Sequence, residues 1–247
     1  MALTRSIAAA CAVAALTLGA GCGGSGSSAP GAGSPSPTPT DNGIVNLPAT
    51  EIMSRTQAAL KKVPSVRLKG NGVGEGARFA IDLHVSDTGG RGTITQNSQT
   101  LEILRIGTTV YIKADADFWR AQTGNAAAAE LLKGKYLKGS TSDPKVAGLA
   151  ALTELDKFVA ELFSTKKTVT KGEKKTIRGV DAIGIVQAGK DGGTLYVATR
   201  GEPYPLQITS NTPSEPATID FLDYGKPVKL TAPPSDQVVD TSKLGSK

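Results

Sequence analysis

The chain is poor in the side chains on which much protein chemistry depends. It has two cysteines and one histidine in 247 residues, aromatic residues at 4% and a single tryptophan. So few rings cannot build the stacking platform of a single-strand nucleic-acid binder. Charge of one sign is scarce too: 28 Lys+Arg against 22 Asp+Glu leave +6, a mild basicity without the concentrated positive charge of a dedicated nucleic-acid binder. No internal repeat or coiled-coil pattern is present. What is abundant is glycine, 29 residues, and proline, 14, which marks part of the chain as linker and makes the folded part shorter than the whole.

The first residues read as an export signal. Arg5 supplies the positive start, residues 7–18 an apolar stretch too short to cross a bilayer, and Gly19, Ala20 and Gly21 a run of small residues before Cys22. The sequence from Leu18 to Cys22 resembles the lipobox of bacterial lipoproteins, with Gly19 standing where an aliphatic residue or alanine is preferred. That resemblance makes residues 1–21 a signal peptide and Cys22 the lipidated N-terminus. Cys11 is removed with the signal, so no partner remains for an internal disulfide. Residues 23–42 contain no large apolar side chain and cannot offset the entropy of ordering. Together with Cys22 they form a tether, expected over 22–45, that would span roughly 25 Å as a coil and about 60 Å if fully polyproline-like.

From residue 46 the pattern turns globular. Ala49, Ile52, Met53, Ala59, Leu60 and Val63 form the apolar stripe of a helix that follows Pro48 and is ended by Pro64. Residues 66–68 and 78–85 then alternate with period two, and Phe79, Ile81, Leu83 and Val85 share one face while Arg78, Asp82 and His84 take the other. Further strands are expected at 92–96, 100–106, 109–113, 167–171, 179–187, 194–199, 206–210, 218–222 and 228–231, with helices at 125–134 and 147–164, the second carrying Leu149, Leu152, Leu155, Phe158 or Val159, and Leu162 on one apolar stripe. The economical topology is a meander of antiparallel strands with hairpins near 87–90 and 190–193. The fold class is therefore α+β: a curved antiparallel half-barrel sheet with helices packed on its concave face. Such a sheet either closes over a tight core or leaves a cleft, and both readings stand.

The order of elements is recognisable. The lipobox Cys22 on its tether, the first helix running into Val63, Pro64, Ser65 and Val66, and Val110, Tyr111 and Ile112 before Phe118 and Trp119 come first. Pro203, Tyr204 and Pro205 at the head of a strand, then Tyr224 to Pro234, complete the series. This order resembles the LppX/LprG-type lipoproteins of actinobacteria (LppX, LprA, LprF, LprG). The resemblance covers 46–236, followed by a tail over 237–247, and implies a LolA-like half-barrel around a hydrophobic cavity that carries acylated lipids or glycolipids at the outer face of the cytoplasmic membrane. It implies a lipid-anchored monomer with no cofactor, no metal and no nucleic acid as partner. The cavity face it carries over comprises Phe79, Ile81, Leu83, Val85, Ile103, Val110, Ile112, Leu152, Leu155, Val159, Leu162, Ile185, Leu195, Val197, Ile208, Ile219 and Phe221.

The chain offers an enzyme little. His84 is the only base available for a Ser/His pair, and it belongs to the polar side of an alternating strand. Asp115 and Asp117 lack the glycine and distal glutamate of a calcium loop and are read as part of a solvated turn. The glycine-rich stretch 70–76 is not followed by Lys-Ser/Thr and is read as turn and bend. Lys166, Lys167, Lys171, Lys174, Lys175 and Arg178 mark a basic hairpin, either a patch for anionic headgroups or a solvated face. Phe118 and Trp119 are either a rim toward lipid or an edge plug of the core. Two functions compete with a lipid carrier: an interaction or sensor lipoprotein with a filled core, and a hydrolase of envelope components.

Overall fold

The structure is a computed structural model that describes residues 40–74, 76–163, 168–189 and 192–240. The expected signal, Cys22 and most of the tether lie outside the described residues, as do Lys166, Lys167 and Lys190.

Twelve strands and five α-helices are present among the described residues. The strands are β1 (Ser65–Gly74), β2 (Ala77–Ser86), β3 (Gly89–Gln96), β4 (Gln99–Ile106), β5 (Thr109–Ala114), β6 (Tyr136–Ser140), β7 (Val169–Ile177), β8 (Val180–Gln187), β9 (Gly193–Ala198), β10 (Pro205–Ser210), β11 (Ala217–Leu222) and β12 (Val238–Asp240). The helices are α1 (Ala49–Leu60), α2 (Ala116–Thr123), α3 (Ala126–Leu132), α4 (Pro144–Ala151) and α5 (Leu155–Leu162). All strands join one open sheet in the order β12-β6-β5-β4-β3-β2-β1-β11-β10-β9-β8-β7, antiparallel throughout except for the parallel β12–β6 pair. It is the curved antiparallel half-barrel expected from the alternation.

Register places the apolar residues in continuous rows. One row runs Ile185, Leu195, Ile208, Ile219, Gly70, Ile81, Ile94 and Leu101. The next runs Phe221, Leu68, Leu83, Gly92, Ile103, Ile112 and Leu137. Side chains alternate across a strand, so each row belongs to one face. That face is concave, because Ile52 and Leu60 of α1, Trp119 of α2, Val146 of α4 and Val159 of α5 bury themselves in the same cluster as Leu68, Leu83 and Ile103.

Curvature needs glycine where strands close up. A β-carbon at Gly70 would stand 2.1 Å from the Thr218 carbonyl oxygen, and one at Gly92 2.0 Å from the Asp82 carbonyl oxygen. Both positions therefore let the backbone bend at the middle of the sheet. The Gly92→Ala variant is expected to lose about 1–3 kcal/mol, because the clash is with backbone and cannot be relieved by a rotamer. Gly148→Ala, in α4 with no atom within 4 Å of the added carbon, is the contrast. It should gain about 0.5–1 kcal/mol, and paired urea titrations read both.

Several expectations are corrected. The stretch 70–74 is strand, not turn, and β1 continues through it. No strand forms at 228–231, which has no regular secondary structure, whereas β6 and β12 form where none was expected. The folded body passes the expected limits of 46 and 236 at both ends: Asp41 bridges to Arg200, Ile44 is buried, and Val238–Asp240 is a strand rather than tail. Phe118 and Trp119 sit on α2 rather than in a loop, Trp119 buried and packed edge-to-face on Phe118 at 5.2 Å, as a core plug would be. Asp115 is the N-cap of α2, accepting from the Phe118 N–H. The helix expected at 147–164 is two, α4 and α5, broken at 152–154. The turn there closes through Thr153 N–H to Ala150 O and Glu154 N–H to Ala151 O. It is held to the sheet by Arg105, whose guanidinium donates to Thr153 Oγ1 at 3.1 Å and Thr153 O at 2.8 Å.

Candidate functional site: an uncovered aliphatic groove

The helices do not cover the concave face evenly. In its middle, Leu155 and Val159 of α5 are buried against the sheet, and the Phe158 ring lies 6.0 Å from that of Phe221. Toward β8–β11 the space between sheet and helices opens into a groove of about 360 Å³. Its floor is the row Ile185, Leu195, Ile208 and Ile219, whose members face one another across four strands. Ile208 and Ile219 are half-buried although they lie on the inward face, whereas Ile185 and Leu195 in the same row are buried.

The walls come from separate elements: Met53 of α1, Leu162 of α5, Val169 of β7 and Val73 of β1. Polar groups gather at one end, where Thr209, Ser210, Thr212 and Glu215 line the mouth. The groove is thus apolar inside and polar at its opening, and its volume lies near the lower end of the ~300–1,000 Å³ common for small-molecule pockets. A second cavity of about 450 Å³ lies under α2 and α4, lined by Ile112, Phe118, Trp119, Gln122, Leu137, Val146 and Leu149.

The expected cavity residues divide between these places. Leu162, Ile185, Leu195, Ile208 and Ile219 line the groove, and Ile112 lines the second cavity. Leu83, Val85, Ile103, Val110, Leu155, Val159, Val197 and Phe221 are buried in the core, and Ile81 is half-buried against it. Phe79 borders a hollow with Arg78 and Pro216 at one end of β2. Leu152 is a correction: it lies in the α4–α5 break and is 43% exposed, because the turn there throws it off the apolar stripe. Met53 and Val73 were not on the expected face. Met53 was legible in the helix stripe, whereas Val73 was hidden in the glycine-rich stretch read as a turn.

Arg105 is the other residue missed. It is 5% exposed on the concave face and also donates to Ser86 O at 3.0 Å and Gly107 O at 3.1 Å. Burial holds its guanidinium below the ordinary value, with Glu154 and Asp87 opposing. A charge at the third inward position of β4, after Leu101 and Ile103, was the available signal. His84 faces outward, half-buried, and burial first and Arg67 second lower its affinity for a proton. Among the described residues no group of three His, Cys, Asp or Glu is placed to hold a metal ion, and no helix is long and apolar enough to cross a membrane.

No protein-family model matches the chain, and no curated protein matches its sequence. Solved structures do match its fold. LprF from Mycobacterium bovis superposes with a TM-score of 0.52 at 15% identity, over 75% of this chain and 96% of LprF. The Mycobacterium tuberculosis lipoprotein LppX superposes at 0.50 and 14% identity, over 74% of this chain and 98% of LppX. The chain therefore has the LppX/LprF-type half-barrel fold, as the order of its elements implied.

Proposed function

We propose that this protein, with the fold of LprF and LppX as its frame, is an envelope lipoprotein that takes an acyl chain of a lipid or glycolipid into the groove over β8–β11. It is anchored through Cys22 at the outer face of the cytoplasmic membrane and carries or presents the lipid there without chemistry of its own. The observation that carries the reading is the floor of Ile185, Leu195, Ile208 and Ile219, an inward aliphatic row that lines an open groove and is only half-buried at Ile208 and Ile219. An acyl chain laid on it leaves water at about 0.8 kcal/mol per methylene. Thr212 and Glu215 at the mouth meet the polar headgroup that stays outside. At about 360 Å³ the groove suits one chain rather than several.

The filled middle of the concave face favours the second reading, an interaction or sensor lipoprotein without a lipid ligand. Mass spectrometry of the full chain from a lipid-rich bacterial host separates the two. The denatured mass is expected to correspond to a chain that starts at an acylated Cys22. The native mass should exceed it by one acylated species, recovered on organic extraction. A native mass equal to the denatured one, with no uptake of added phospholipid or glycolipid, favours the second reading.

A further inference from the structure

The segment after β11 straps the outside of the sheet. It begins where the Gly225 N–H donates to Ser65 O and Ser65 Oγ donates to Lys226 O, and it ends where β12 pairs with β6. β11 and β6 are separated by five strands in the sheet order, so residues 226–237 cross all five. They do so on the convex face. A β-carbon on Gly89 would meet the Leu230 side chain at 2.5 Å, while one on the next residue, Gly90, would meet Thr153 on the concave side.

Between strap and sheet lies a polar cavity of about 550 Å³, roofed by Lys229 and Thr231. Its floor combines two cross-strand rows of different electrostatic character. Lys69, Asp82, Thr93, Glu102 and Lys113 stand opposite one another in turn and compensate, with Lys69–Asp82 at 3.7 Å and Lys113–Glu102 at 3.6 Å. The neighbouring row sets Arg67, His84 and Arg91 side by side. The two arginines flank the imidazole of His84, and the row holds no carboxylate. Arg67 is compensated by two hydrogen bonds to Asp82, at 2.7 and 2.6 Å, and by Asp223 at 3.6 Å. Arg91 on the floor and Lys229 on the roof have no carboxylate in ion-pair contact among the described residues. The carboxylates of the cavity are already engaged, Asp82 by Arg67 and Lys69, Glu102 by Lys113 and the Tyr136 hydroxyl.

We propose that this cavity binds the phosphate group of an organic phosphate ester, held between Arg91 and Lys229. Both cations line the same cavity, Arg91 from β3 and Lys229 from the strap, and an arginine presents its donors to a phosphate in matching pairs. The Thr93 and Thr231 hydroxyls line the same space, and the volume admits an organic part larger than the ion itself. The site is on the opposite face from the acyl groove and stands whether or not that groove takes a lipid.

Isothermal titration calorimetry of the full chain tests it with three probes at constant ionic strength: inorganic phosphate, glycerol 3-phosphate and phosphatidylglycerol vesicles, with chloride as control. Saturable binding of glycerol 3-phosphate, tighter than inorganic phosphate, is expected. It should weaken at least tenfold in both Arg91→Gln and Lys229→Gln, whose ligand-free melting midpoints stay at the parent value because both side chains are exposed. Binding of the free ester without vesicle binding assigns a soluble phosphate, and vesicle binding lost in both variants assigns a lipid headgroup. Absence of saturable binding to all three probes, or equal binding by parent and variants, overturns the proposal.

Discussion

Arg105→Met is expected to lower the unfolding free energy by about 2–4 kcal/mol, the largest single-residue effect on stability argued for this fold. The guanidinium serves four acceptors, Thr153 Oγ1, Thr153 O, Ser86 O and Gly107 O, and the contacts to Ser86 and Thr153 are buried. Methionine replaces the apolar stem and removes every donor. Relief of the buried charge offsets part of this loss. The offset is incomplete, because the Ser86 and Thr153 carbonyls keep their places under the α4–α5 turn and have no water to turn to. Arg105→Lys should recover only a fraction, since one ammonium cannot reach acceptors spread over three segments. Urea denaturation gives the magnitude, and amide exchange across 150–158 gives the place: protection there should fall before that of β4 itself. A loss under about 0.5 kcal/mol would mean that the turn is held by its own hydrogen bonds and that the clamp is redundant.

The same clamp shows why part of the fold could be read from sequence and part could not. Alternation in 78–85 needs only the two faces of one strand, so Phe79, Ile81, Leu83 and Val85 were placed on a common face without knowledge of any neighbour. The helical stripe at 147–164 was also real in both its halves. At its interruption the Thr153 carbonyl accepts a hydrogen bond from Arg105, 48 residues away, and local periodicity carries no trace of a distant donor. Glycine misled for a related reason. At 70–74 it weakens strand propensity, yet the β1–β11 approach at Gly70 leaves no space for a side chain, so packing prevailed over propensity. β6 and β12 have five and three residues, all half-buried, and their pairing joins segments about a hundred residues apart. The groove had the same limit. Parity found the inward face, but which part of it stays uncovered depends on where α5 comes to rest.

Ile208→Glu is expected to weaken binding of a fluorescent fatty-acid probe at least a hundredfold while leaving the fold intact. Ile208 sits in the middle of the groove floor, between Leu195 and Ile219, so an acyl chain along the row must cover it. A carboxylate there keeps its water. Burying it under methylenes would cost several kcal/mol and would cancel the contribution of several methylenes at about 0.8 kcal/mol each. The free protein loses little, because the side chain is half-buried in an open groove and a glutamate can extend toward the mouth. Leu149→Glu, on the wall of the second cavity under α4, is the control. If the groove is the site, this variant binds the probe as the parent does. If Leu149→Glu abolishes binding and Ile208→Glu does not, the acyl chain lies under α2 and α4, and the groove is only the open end of the sheet. If both variants bind as the parent does, the concave face is not where lipid is held, and the filled core between Phe158 and Phe221 becomes its defining feature.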